Sequence, residues 1–376
     1  MGRKLLLRAL VAVVVLLVVL AGIEGVSSAW LMAQEIRAIR PTENFRQARY
    51  DTLLGWVGLP NLHIANNYGP GIHLTTNADG MRIHRPVSAA LAPGTRRAIC
   101  SGDSFAFGSG VADDQTMCAY LESELPGLET LNMAQRGFGI DQAYLWYRRD
   151  GARYTHQLHL FAFIWADFER MAVTSFTGYS KPILKLRDGR LVTENVPVPR
   201  WSATTKAYEV QNILMRSRLF ELARRPSDQS DAASLRRVDA QVWNVAEAVF
   251  LDLARLNAER HSQLVLVYLP NLVEFDAGPH DVRRARLEQF SKRTGIPLVD
   301  LTPDLRAVPR DSLDWLFITA NQIPVRGSAG HYSPRGNHWA AERLAVHLRD
   351  LQAVSAILSP SAAVAPVGPS ASGRDP

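Results

Sequence analysis

Residues 9–23, Ala-Leu-Val-Ala-Val-Val-Val-Leu-Leu-Val-Val-Leu-Ala-Gly-Ile, carry no charge and follow Arg3, Lys4 and Arg8. A spanning helix needs about 20 apolar residues and a secretory core roughly 7 to 15, so the run fits either a signal anchor or a signal peptide over 1–30. Ser27-Ser28-Ala29 offers a small-residue cleavage site, whereas Trp30-Leu31-Met32 continues one helix and favours an uncleaved anchor. Both readings keep the basic flank inside and export the chain beyond about residue 30. Residues 31–95 are rich in turn signals, such as Asn66-Asn67-Tyr68-Gly69-Pro70-Gly71 and Asn77-Ala78-Asp79-Gly80, and read as a small strand-and-turn lead-in.

From Arg97 onward, short apolar runs alternate with helical periodicity. The runs are 97–101, 129–133, 158–165, 263–269 and 296–301. Strands alternating with helices predict a parallel sheet covered on both faces, within a domain spanning 96–352. An insertion at about 171–235 interrupts it. There, Pro182–Leu186 and Arg190–Thr193 flank Arg187-Asp188-Gly189, a hairpin signal. Residues 206–224 and 236–260 read as amphipathic helices, the second with its apolar stripe packed in the core. The Ala-, Ser- and Pro-rich segment 353–376 predicts a disordered tail.

Composition narrows the class. A chain of 376 residues that is 47% hydrophobic can bury a large core, which excludes wholesale disorder, and two cysteines exclude a disulfide scaffold. The net charge of +6 falls to +4 once residues 1–30, with three basic residues and Glu24, are set aside. No basic run interleaved with aromatics accompanies it, so no nucleic-acid partner is expected. Cys100 and Cys118 fall in a predicted strand and in the helix over it; an exported setting permits a disulfide, and two buried thiols are the alternative.

Candidate chemistry gathers at strand ends. The first strand runs into Gly102-Asp103-Ser104-Phe105-Ala106-Phe107-Gly108, which places Ser104 at the carboxyl end of a parallel strand, where open α/β sheets bind ligands. Asp103 fits a role in its own turn. The second strand ends in Asn132-Met133-Ala134-Gln135-Arg136-Gly137-Phe138-Gly139-Ile140-Asp141-Gln142, whose glycines let backbone N–H groups approach a bound oxygen. The third ends in Trp165-Ala166-Asp167-Phe168-Glu169-Arg170. Near the end of the fold, Gly330-His331-Tyr332-Ser333-Pro334-Arg335-Gly336-Asn337-His338 carries two histidines into a final helix. A serine hydroxyl becomes a good nucleophile only when a neighbour takes its proton, and histidine is the usual neighbour.

These blocks, in this order over roughly 97–350, resemble the SGNH, or GDSL-type, hydrolases, serine esterases of flavodoxin-like fold. The resemblance implies an α/β three-layer sandwich with a central parallel sheet, Ser104 as nucleophile and His331 as base. It also implies an oxyanion hole from the N–H groups of Ser104 and Gly137. Gly139, Gln142, Asp167 and Asn337 are candidate substrate-binding residues; for Asp167, as for Glu169 and Arg170, pairing with one another on the surface is the alternative. The loop 137–142 and the N-terminal segment look closest to exported bacterial members acting on acylated surface polymers.

Two departures stand out. Ala166 occupies the place of the family's third-block Asn, so one oxyanion donor is missing, with the Gly139 N–H and the Gln142 amide as candidate substitutes. Ser328 occupies the place of the Asp three residues before the histidine. The imidazole must then be oriented by a backbone carbonyl or by a carboxylate from elsewhere, with Asp300 and Asp314 the candidate acids and Asp311 a further one. His338 reads as structural or solvated. The remaining histidines show no zinc-site spacing, so neither a metal nor another cofactor is expected.

The sequence therefore predicts a single-pass inner-membrane protein with its catalytic domain facing the periplasm or cell exterior. It would be an SGNH-type esterase or O-acyltransferase acting through an acyl-serine on O-acyl, foremost O-acetyl, esters. The expected partners are an acylated carbohydrate or small ester, and the membrane through the N-terminal helix. The alternative is a catalytically inactive carbohydrate-binding or assembly protein of the cell envelope.

Overall fold

The strands predicted to be central are largely apolar on both faces, as a sheet buried on two sides demands. In the computed structural model they form β1 (Arg96–Gly102), β2 (Leu128–Ala134), β3 (Leu158–Phe163), β4 (Gln263–Tyr268) and β5 (Leu298–Asp300). The strands are hydrogen-bonded in the order β5-β4-β3-β1-β2, every pair parallel. This is the flavodoxin-like order, and its switch point, where ligands bind beyond the strand ends, lies between β1 and β3. The described residues are 2–38, 47–83, 85–200, 207, 210–211, 213–214, 232–319, 322–323 and 328–358.

Helices cover both faces. Along the chain they include α1 (Ser104–Phe107), α2 (Met117–Glu124), α3 (Ile140–Asp150), α4 (Ala232–Ala258), α5 (Pro279–Thr294) and α6 (Pro334–Asp350). On one face, Cys100, Leu160, Ala162, Val265 and Val267 pack with Cys118 and Leu121 of α2 and Ala341, Leu344 and Leu348 of α6. The other face is aromatic: His159 stacks on Tyr147 of α3 at 3.8 Å, and Phe250 of α4 meets Phe161 and Phe163. Cys100 and Cys118 are joined as a disulfide with 6.4 Å between their Cα atoms, fastening β1 to α2.

The chain divides into two compact units, residues 1–57 with 169–245 and residues 58–168 with 246–376. The sheet belongs to the second. In the first, the N-terminal segment is one helix, Gly2–Ala38, running without a break through Ser27-Ser28-Ala29. At 1.5 Å per residue it is about 55 Å long, more than a bilayer core requires. The predicted hairpin is present as Ile183–Arg187 paired with Arg190–Glu194. Asp188 and Gly189 both take positive φ, 50° and 72°, the twist a two-residue type I′ loop needs.

Two expectations meet the edges of the described residues. The predicted helix over 206–224 lies largely outside the described residues, as does the tail from 359. The first residues assigned to that tail instead form a helix, Gln352–Leu358, because Val354 is buried against the face that carries α6.

Candidate active site

The turn that carries Ser104 is fixed by packing before any chemistry enters. Gly102 ends β1 so close to β3 that a Cβ there would stand 2.2 Å from the Ala162 carbonyl oxygen. The next residue, Asp103, caps α1: its Oδ1 accepts from the Phe105 N–H at 2.8 Å. Ser104 comes next, at the first helical position, nearly buried, with its Oγ 3.3 Å from Asp103 Oδ2.

His331 reaches Ser104 from the opposite end of the sequence, with its Nε2 2.8 Å from Ser104 Oγ. It closes a β-turn whose Ser328 carbonyl accepts from the His331 backbone N–H at 3.2 Å. Gly330, at φ +84°, supplies the left-handed third position that a type II turn requires. The same carbonyl lies 3.2 Å from His331 Nδ1. An imidazole whose Nδ1–H donates to a carbonyl presents Nε2 as an acceptor, the tautomer that can take the Ser104 proton. Phe105 lies against the ring with centroids 4.8 Å apart.

Of the candidate acids, Asp300 is already paired. Asp300 ends β5 beside α5, where its Oδ2 accepts from Arg284 Nε at 2.7 Å and its Oδ1 accepts from the Thr302 N–H at 2.8 Å. Asp314 and Asp311 are exposed. Ser328, where a carboxylate was expected, thus meets the imidazole with its main chain, while its own buried Oγ has no hydrogen-bond partner among the described residues.

Gly137, at φ +76°, lies in the loop after β2, which is tied to the end of β1 by the Gln135 N–H donating to the Gly102 carbonyl at 3.0 Å. The two candidate substitute donors face each other: the Gly139 N–H donates to Gln142 Oε1 at 3.4 Å, capping α3. Asp167 closes its own turn, accepting from the Ile164 N–H at 3.1 Å, and Ala166 packs half-buried on the core. Asn337 is buried and accepts from the Met117 N–H at 3.0 Å, joining α6 to α2. His338 points outward to Glu124 at 3.2 Å.

Sequence reasoning missed three buried polar residues behind this site. Arg82 binds Asp113 and the carbonyls of residues 107, 108 and 111, and Asn132 Nδ2 donates to the Ala106 carbonyl at 3.0 Å. Asn132 left a trace, an amide set between the apolar Leu131 and Met133 of its strand; Arg82, in a turn-rich segment, left none. Among the described residues, no group of three His, Cys, Asp or Glu side chains could hold a metal ion.

No family model and no curated protein matches the chain. Solved structures do. A member of the lipolytic protein G-D-S-L family from Veillonella parvula is similar at 11% identity, over 68% of this chain and 100% of its own, with a TM-score of 0.36. A putative acylhydrolase from Bacteroides fragilis is 13% identical over 70% of this chain and 88% of its own, with a TM-score of 0.34. A catalytic mutant of an acetylxylan esterase from Geobacillus stearothermophilus is 12% identical over 67% of this chain and 93% of its own, with a TM-score of 0.37.

Proposed function

We propose that the chain is a serine ester hydrolase or acyltransferase in which Ser104 is the nucleophile and His331 the general base. The observation that carries this reading is the 2.8 Å contact between Ser104 Oγ and His331 Nε2 at the switch point of a flavodoxin-like sheet. Ser104 Oγ attacks the ester carbonyl while its proton passes to His331 Nε2, and the Nδ1–H bond to Ser328 holds the ring in place. The charge on the tetrahedral oxygen falls to the N–H groups of Ser104 and Gly137. His331 then returns the proton to the departing alcohol. Water or a sugar hydroxyl attacks the acyl-serine in the second half, giving an esterase or an O-acyltransferase.

The substrate class in this reading is an O-acyl, foremost O-acetyl, ester of a cell-surface polysaccharide or a small alcohol. The unbroken helix Gly2–Ala38 supports anchoring in the inner membrane with the site on the exported side, and the disulfide fits an oxidising compartment. The test is labelling of the full chain with a fluorophosphonate probe. Wild type should react, Ser104→Ala and His331→Ala should not, and His338→Ala should react like wild type. Equal labelling of wild type and Ser104→Ala would refute the assignment, and an unreactive wild type would favour a binding or assembly protein without catalysis.

A further inference from the structure

The side chain of Arg82 is 1% exposed, and it stands outside the segments that carry the serine and the histidine. Its guanidinium makes four hydrogen bonds, all to the stretch just beyond the nucleophile. Nε donates to Asp113 Oδ1 at 2.8 Å. Nη1 donates to the Phe107 carbonyl at 2.9 Å and the Gly108 carbonyl at 2.5 Å, and Nη2 to the Val111 carbonyl at 2.6 Å. The Phe107 ring lies 5.0 Å below the guanidinium carbon. A planar fork with several fixed donors can fasten one loop at several points; an ammonium cannot reproduce that geometry.

The fastened loop bonds the Ser104 helix and lies against the turn that holds His331. Within it, the Ser109 N–H donates to the Ser104 carbonyl at 3.0 Å, so the loop carries the nucleophile helix with it. In its middle, Gly110 lies against the histidine's turn: a Cβ there would be 2.4 Å from Ile318 Cδ1 and 3.5 Å from Ser328 Cβ. Ser328 holds the imidazole, and the Ile318 N–H donates to the His331 carbonyl at 2.8 Å. Arg82 is itself held to β2, where its backbone N–H donates to the Asn132 carbonyl at 3.1 Å and Asn132 Nδ2 bonds the Ala106 carbonyl. One buried cation therefore sets where the 107–111 loop sits, and the loop adjoins both the Ser104 helix and the turn that holds His331.

We infer that Arg82 is a positioning residue for the proposed reaction, fixing the Ser104–His331 distance through the 107–111 loop without touching substrate. The inference rests on the serine hydrolase reading. A misplacement of about 1 Å in a reacting pair costs about 100-fold in rate, and binding is spared when the substrate pocket itself is unchanged.

The experiment compares full-length wild type, Arg82→Lys and Arg82→Gln by thermal melting, by the rate of Ser104 phosphonylation with a fluorophosphonate, and by kcat and KM on a small acetyl ester. Both variants should remain folded at 25 °C, with KM within about twofold of wild type. Their kcat and phosphonylation rate should fall together by about 10- to 100-fold, Lys retaining more than Gln. If neither folds, Asp113→Asn takes their place; it keeps the shape while removing the charge that aims the guanidinium, and should lower kcat alone by about 3- to 10-fold. Folded variants that react as fast as wild type, a loss that appears only in KM, or a loss that merely tracks the unfolded fraction would overturn the inference and leave Ser104 as nucleophile untouched. An unreactive wild type would overturn the functional reading and this inference with it.

Discussion

Replacing Asn337 with alanine separates two roles for a residue that its place in the sequence assigns to substrate and its place in the fold assigns to packing. The side chain makes three hydrogen bonds: Oδ1 accepts from the Met117 N–H at 3.0 Å, and Nδ2 donates to the carbonyls of Tyr332 at 3.1 Å and Ser333 at 3.0 Å. Alanine removes all of them. The Ser333 carbonyl keeps the Asn337 backbone N–H at 2.8 Å, while the Met117 N–H at the start of α2 loses an acceptor it cannot easily replace in a buried site. At about 1 kcal/mol per hydrogen bond, and more for an orphaned buried donor, the loss comes to about 2–4 kcal/mol. For a domain of this size that is a fall in Tm of about 5–15 °C. Asn337→Asp should be at least as damaging, since a carboxylate can still accept from Met117 but faces two carbonyl oxygens to which it cannot donate. Thermal melting followed by circular dichroism, with kcat and KM measured at 25 °C on the folded fraction, checks both. Unchanged kinetics with lowered stability is the expected result. A variant that melts within about 2 °C of wild type yet shows a tenfold higher KM would place Asn337 against substrate and refute the packing argument.

Two further outcomes are expected from the same core. Burial pushes the pKa of His156 down and that of His159 well down, so both are neutral in the folded protein, while in the unfolded chain they protonate near the ordinary value of about 6.5. Their contribution is present above that pH and is lost as pH falls below it, by at most about 1.4 kcal/mol per pH unit for each histidine; urea midpoints should drop between pH 7.5 and 5, and less so in His159→Gln. The Cys100–Cys118 bridge closes a loop with a sequence separation of 18, for which chain entropy predicts about 3 kcal/mol; the double alanine variant should unfold at correspondingly lower urea, and an unchanged midpoint would show that the bridge does not form in solution.

The local signals were enough for most of the sheet. Each strand was visible as a short apolar run bounded by turn residues, and alternation with helices settled its parallel character, because a crossover helix is the ordinary way back to a parallel neighbour. The hairpin around Asp188-Gly189 and the cap at Asp103 were legible for the same reason: both depend on dihedral preferences and hydrogen bonds spanning a few residues. Ser104 and His331 could be named from their blocks. Their 2.8 Å approach could not, since it joins positions 227 residues apart and exists only once the sheet and α6 are packed.

Side-chain partners chosen across the fold had no signature. Asp300 reads in sequence as a strand-end acid available to a histidine, yet α5 brings Arg284 to it, and a half-buried carboxylate is far better paired with a guanidinium than left to wait for a neutral ring. Asn337 and Gln142 read as site residues and serve helix ends, because helix starts leave backbone groups that must be satisfied and the nearest amide meets the need. Arg82 was invisible because its partners are mostly carbonyl oxygens, which every residue carries, so no residue-type pattern marks them. Sequence thus determined which segments form strands and turns, through interactions a few residues long. Tertiary structure alone decided which polar groups meet, because burial makes an unpaired polar group costly and only the packed chain determines which partners are within reach.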